Sequence, residues 1–238
     1  MAKANDDWEI LPHGPVERLA ENLLRVEGTL AGMSLRRNMV VTRRDDGGLV
    51  IHSAISVDDA AMREIESLGT PKVLLVPNGF HRKDAPAWKR RFPALKVLAP
   101  AGSKKKVEQV IACDGTYDDF AGDATVRLEH LAGTADVEGL LVVESSDGVT
   151  LVFNDLVFNM DKKTDLLGNL FTTVMGSAPG PRVSRLAKLM LVKDKRAFRD
   201  ELLRRADTPR LVRVLVAHEK VASGRDAAAA LRLAATFL

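Results

Sequence analysis

Short runs of Val, Ile and Leu, each closed by a turn signal, recur in two separate stretches of this chain, and each stretch continues into segments of helical spacing. That order of strands followed by strand–helix alternation constrains the chain to layered α/β packing. In the first stretch, strands are predicted over 24–30, 38–43 and 49–52. Asp45-Asp46-Gly47-Gly48 forms a hairpin turn, because Asp and Gly tolerate the positive φ that such turns require. From Ser56 the spacing becomes helical, with an acidic first turn at Val57-Asp58-Asp59, apolar positions at Ala61, Ile65 and Leu68, and Gly69 as the stop. A buried strand over 72–76, a loop over 77–83, a helix over 87–92, a strand over 96–98 and a helix over 103–110 complete the unit. The second stretch predicts strands over 126–129, 139–144 and 149–153, with Ser145-Ser146-Asp147-Gly148 as the turn between the last two. Basic helices over 183–191 and 195–206, a strand over 211–216 and an Ala-rich terminal helix follow. The predicted architecture is two mixed β-sheets facing each other with helices on both outer faces. The first sheet ends near Val97 and the second is built from Thr125 onward.

A chain of 238 residues, 46% hydrophobic and 28% charged, suffices for one core of this kind and is too apolar for disorder. A single domain over 1–238 is expected, with 1–21 as an N-terminal extension and 176–206 as a connecting loop with basic helices. The one cysteine, Cys113, excludes an internal disulfide and any multi-thiolate zinc or iron–sulfur site, so metal ligands must be histidines and carboxylates. It follows the apolar Val110-Ile111-Ala112, has no basic neighbour nearer than Lys106 in sequence, and reads as a structural thiol. Residues 1–9 are polar and acidic where a secretory signal would be basic and then apolar, and no window approaches about 18 uninterrupted apolar residues. A cytoplasmic protein without a membrane partner is the expectation. Thirty-five basic residues against 32 acidic ones indicate a solvated surface, and the runs Lys89-Arg90-Arg91 and Lys104-Lys105-Lys106 lack the interleaved aromatics of a nucleic-acid platform. No nucleic-acid partner is expected. Neither a Gly-x-Gly-x-x-Gly nor a Walker loop is present, and Gly176-Ser177-Ala178-Pro179-Gly180 reads as a flexible connection or lid.

Of the five histidines, four stand where a strand ends or has just ended: His52, His81, His130 and His218. Asp155 has the same placement after the apolar run 150–153. Strand ends of layered α/β proteins converge on one rim of a sheet, where groups distant in sequence meet.

The segment Val73-Leu74-Leu75-Val76-Pro77-Asn78-Gly79-Phe80-His81, followed by a helix and Arg91-Phe92-Pro93, resembles the first metal-binding loop of the metallo-β-lactamase superfamily. Glu129-His130-Leu131-Ala132-Gly133-Thr134 resembles the superfamily's second histidine turn. Val152-Phe153-Asn154-Asp155 resembles its bridging-aspartate strand, and Val214-Leu215-Val216-Ala217-His218 its final histidine. The first loop departs from the superfamily's His-x-His-x-Asp-His pattern: with His81 in the last position, the others fall on Val76, Asn78 and Phe80. A register with His81 as the second histidine and Asp84 further along fits the distance to Phe92-Pro93 less well. Pro77-Asn78-Gly79-Phe80-His81 together with His52-Ser53 resembles a divergent bacterial branch of the superfamily, one of unknown function with a degenerate loop.

This resemblance implies an α/β fold, the four-layer αββα sandwich, and a reduced site. His81, Asp155 and His218 suffice for one zinc, iron or manganese ion, with His130 as a fourth ligand or a proton acceptor. His52 and Asn78 are expected to border the pocket and orient the ligands, and Asn78 to offer a hydrogen bond to a substrate oxygen. The pocket should be apolar where Val76 and Phe80 stand. Two functions stay open: a mono-metal hydrolase of a small-molecule ester, thioester or phosphoester, and a non-catalytic binding or scaffold protein with a relic His/Asp cluster and no metal.

Overall fold

Runs such as Leu49-Val50-Ile51 and Leu140-Leu141-Val142-Val143 have no polar face, so strands made from them must be covered on both sides. The computed structural model, which describes residues 7–238, divides each run by parity. Leu49 and Ile51 face outward to helices while Val50 faces the other sheet, and Leu140 and Val142 oppose Leu141 and Val143 in the same way.

The first sheet has seven strands in sequence order: β1 (His13–Ala20), β2 (Leu23–Leu30), β3 (Met33–Arg43), β4 (Gly48–His52), β5 (Thr70–Leu75), β6 (Lys96–Ala99) and β7 (Gly115–Thr116). Its pairing is antiparallel as far as β4 and parallel beyond it, so the sheet is mixed. The second sheet contains β8 (Val126–Glu129), β9 (Leu140–Ser145), β10 (Gly148–Val152), β11 (Leu211–Leu215) and β12 (Ala222–Ser223), in the order β12-β11-β10-β9-β8. Only β10 and β11 pair in parallel. Between the sheets lies a core of Leu23, Val40, Val50, Val73, Leu75 and Leu98 against Val126, Leu141, Val143, Val152 and Leu215.

Three helices, α1 (Asp59–Leu68), α2 (Ala85–Arg91) and α3 (Ala101–Val107), follow strands of the first sheet, whose outer core includes Met62, Ile65, Trp88 and Val107. On the outside of the second sheet, α5 (Arg185–Met190), α6 (Lys195–Ala206) and α7 (Arg225–Ala235) contribute Ala187, Phe198, Leu202 and Leu231. Asp58 caps α1 through Ala61 N, and Ser184 and Asp194 cap α5 and α6 through the amides of Ala187 and Ala197. The result is the four-layer αββα sandwich. No helix among the described residues is long and apolar enough to cross a membrane.

The first sheet does not end near Val97 but continues to β7, which pairs with β6 in parallel, and two larger elements also differ from the sequence reading. Within the stretch 1–21, read as an extension, β1 forms the edge of the first sheet, with Val16 opposite Val26 and Arg18 opposite Leu24. Pro15 and mixed burial hide it from an alternation test, as befits an edge strand. Residues 1–6, part of the polar N-terminal segment, lie outside the described residues. The second element is α4 (Leu166–Met175), capped by Asp165 and closed by Gly176 in the left-handed conformation. Only Thr172 of this helix is buried, and its apolar face, Leu166, Leu167, Leu170, Phe171 and Val174, is exposed.

Candidate metal centre

The site lies where β4, β5, β10 and β11 end. Each functional side chain is aimed by a local device. After β5, the Asn78 carboxamide oxygen accepts the backbone N–H groups of Phe80 and His81 at 2.8 and 3.0 Å, a side-chain turn that directs His81 inward. After β10, Asp155 N donates to Glu138 Oε1 and Leu156 N to Glu138 Oε2, both at 3.0 Å. His218 follows β11, and there the loop is tied across the sheets by Asn38, whose N–H donates to Ala217 O at 2.7 Å and whose Nδ2 donates to Val216 O at 2.9 Å.

Three of the four histidine and aspartate ligands expected from the sequence come together. One ligand atom from each of His81, Asp155 and His218 falls within 4.8 Å of the others. Asp155 Oδ1 lies 3.2 Å from His81 Nε2 and 3.1 Å from His218 Nε2, and the two imidazole rings meet edge to face at 5.2 Å. Donors around one tetrahedral ion at about 2.0–2.1 Å stand about 3.3 Å apart, so the two spacings to Asp155 Oδ1 fit such an ion. The donor chemistry fits as well. His218 Nδ1 faces the Arg36 carbonyl at 2.7 Å, an acceptor only, so Nδ1 carries the ring proton. His218 Nε2 is thereby turned to Asp155 Oδ1, to which it donates when the ring is charged, and it offers a ligand lone pair when the ring is neutral. Phe158 stacks on the His218 ring at 5.5 Å and 3°, fixing its plane.

Electrostatics keep the negative charge on Asp155. Burial pushes its carboxyl up, but the His81 charge and the hydrogen bonds from His218 and His81 outweigh burial and hold it well below the usual carboxylate range. Glu138 behind it is pushed up to about 8 by burial and by the Asp155 charge, against the hydrogen bonds it accepts from Asn78 and the Asp155 and Leu156 amides.

The remaining expectations are corrected or refined. His130 does not join the cluster. It is 61% exposed, with Nε2 2.8 Å from Asp118 Oδ1 and Nδ1 3.0 Å from Asp136 Oδ1. β8 lies two strands from β10, about 10 Å at the usual strand spacing, and the loop leaving β8 sends in Glu138 instead. Asn78 is buried, but it donates to Glu138 Oε1 at 2.5 Å and to Asp155 Oδ2 at 2.7 Å. Both amide hydrogens are thus committed, and none is left for a substrate oxygen. It orients Asp155. His52, 2% exposed, is kept neutral: burial, and then the neighbouring His81 charge, push it down to about 3. Phe80 lines a cavity above the cluster, as expected, whereas Val76 is fully buried in the outer core and is not part of the cavity wall.

Sequence reasoning did not assign a role to Glu138, Ser53, Phe158 or Arg37. Ser53 takes a positive φ of 57° to bring its Oγ to 2.9 Å from His81 Nδ1, a conformation costing about 1–3 kcal/mol. Arg37 pairs with Asp84, both buried. The one available signal for Glu138 was a charged residue set directly before the apolar run 139–143.

With this geometry, two facing mixed sheets carrying histidine and aspartate loops along one rim, the chain has the metallo-β-lactamase fold. It superposes on DIM-1 metallo-β-lactamase, crystallised after exposure to ceftazidime, with a TM-score of 0.63 at 13% identity over 96% of this chain and 99% of that one. The metallo-β-lactamase of Erythrobacter litoralis with β-mercaptoethanol in its active site gives 0.61 at 14% identity, covering 97% and 100%. The metallo-β-lactamase of Pontibacter korlensis gives 0.58 at 14%, covering 94% and 99%. No protein-family model and no curated protein sequence matches the chain.

Proposed function

We propose that this protein is a mono-metal hydrolase in which His81 Nε2, Asp155 and His218 Nε2 hold one zinc, iron or manganese ion. The observation that carries the reading is the His218 ring: its Nδ1 donates to the Arg36 carbonyl, which turns Nε2 toward Asp155 Oδ1 at 3.1 Å, beside His81 Nε2 at 3.2 Å from the same oxygen. When bound, such an ion supplies a Lewis acid for a carbonyl or phosphoryl oxygen, which suits an ester, thioester or phosphoester substrate. Ser53 orients His81, Asn78 orients Asp155, and Phe158 holds His218 flat, so the donors are set before anything binds. Phe80 and the apolar wall around it limit water at the open side.

One observation favours a second reading, non-catalytic ligand binding on the same fold. Loop 76–81 keeps a single histidine, and its only other polar side chain, Asn78, is fully committed, so the loop offers no further group to take a proton from water. Metal analysis of protein purified without chelator, with turnover of acyl ester, thioester and phosphoester panels, separates the readings. The proposal predicts about one ion per chain, and turnover that is lost on chelation, restored by the metal and absent in His218→Ala. Metal without turnover supports the second reading. Protein that retains no metal, or turnover indifferent to chelator, overturns the first.

A further inference from the structure

Above the cluster opens a cavity of about 620 Å³, within the about 300–1,000 Å³ of small-molecule sites. Its wall is ordered along β3, where alternate residues share one face: Met33, Leu35 and Arg37 all line the cavity, with Met33 48% exposed at one end and Arg37 buried at the other. Four positions of strand put those ends about 13 Å apart. The rest of the wall is mostly apolar, with Glu9, Arg82 and Lys83 also on it, and four of the chain's seven methionines, Met33, Met160, Met175 and Met190, take part. Methionine walls adapt to flexible hydrocarbon. Met190 and Phe171, 44% and 46% exposed, border this space, so surface that costs free energy in water is wall area for a ligand.

The polar end is specific. The guanidinium of Arg37 binds Asp84 through Nη2 and the Ala54 carbonyl through Nη1, while its buried Nε has no partner. An unpaired buried N–H calls for an acceptor oxygen. Arg37 lines the cavity together with His81 and His218, which puts its guanidinium group among the polar residues of that wall.

We propose that the cavity takes an acyl amphiphile, its unbranched tail laid along Leu35 and Met33 toward Met190 and its carboxyl-derived head at the Arg37 guanidinium beside His81 and His218. The assignment of this head to the reacting end rests on the metal-site reading; the tail site does not. The test is calorimetric titration of the full chain with hexanoate, octanoate, decanoate and dodecanoate below their micelle concentrations, on protein stripped of metal and on protein loaded with zinc. Affinity should tighten about fourfold per added methylene until the tail fills the cavity. Dodecyltrimethylammonium should bind more weakly than dodecanoate. Met190→Glu, at a half-exposed position that tolerates charge in the fold, should weaken dodecanoate at least tenfold and leave the melting temperature in place. Phe171→Ser, on α4, provides a second variant with the same expectation. A chain-length slope on stripped protein supports the tail site even if no metal is ever retained. A flat series, or a slope indifferent to both variants, overturns it even if the metal site stands.

Discussion

Replacing Asn78 with alanine removes a side chain that is 1% exposed and makes four hydrogen bonds. Two are accepted from backbone N–H groups, contributing about 1 kcal/mol each, and two run to carboxyl groups at about 1.5–3 kcal/mol each. The sum of about 5–8 kcal/mol is a ceiling, because bonds made by one group are not additive and water entering the vacated space satisfies part of what is lost. About 3–5 kcal/mol of destabilisation is the working value, which for a chain of this size lowers the melting temperature by about 6–20 °C. The loss is not only structural. Asp155 Oδ2 loses its donor, so metal affinity should fall about 10–100-fold. Urea unfolding followed by the fluorescence of buried Trp88 gives the first quantity, and competition with a chelating dye the second. A variant destabilised by less than about 1 kcal/mol with unchanged metal affinity would refute the role assigned to this amide.

The His130 ring is raised above its ordinary value chiefly by its hydrogen bond to Asp118, against burial and with further help from Asp136. Its stabilising contribution is therefore complete below the unfolded value of about 6.5 and lost as pH rises through the folded one. His130→Ala should thus destabilise at pH 5.5, become neutral by pH 9 and leave metal content unchanged, as read by unfolding at the two pH values and by metal analysis. Burial, and then the Glu108 charge, push the Cys113 thiol up to about 11. Labelling by a thiol reagent at pH 7–8 should be slow and should accelerate steeply only as pH approaches 11.

Much of the fold was legible because burial on both sides leaves continuous Val/Ile/Leu runs; parity divides each run between two faces, but which face is inner, that of Val50 and Leu141, is set by how the sheets pack. β1 and α4 were not legible for different reasons: the first is a partly exposed edge strand interrupted by proline, and the second is a short helix whose apolar face is exposed and not packed into the core. At the site, the strand-end rule found His81, Asp155 and His218, since central strands of the two facing sheets bring their ends together. The same rule misplaced His130, because a strand end at the sheet edge reaches only the edge. Glu138 and Arg37 were hidden because their roles come from partners far apart in sequence, Asn78 and Asp155 for one and Asp84 for the other.

The account turns on where a metal ion lies against these side chains. X-ray absorption at the metal edge of protein carrying one equivalent of ion, combined with anomalous diffraction from a crystal, measures this directly. The account predicts one ion with two imidazole nitrogens and a carboxylate oxygen at about 2.0–2.2 Å, contributed by His81, His218 and Asp155, with a signal unchanged in His130→Ala. An ion held by His130, or no ordered ion between His218 Nε2 and Asp155, would contradict it.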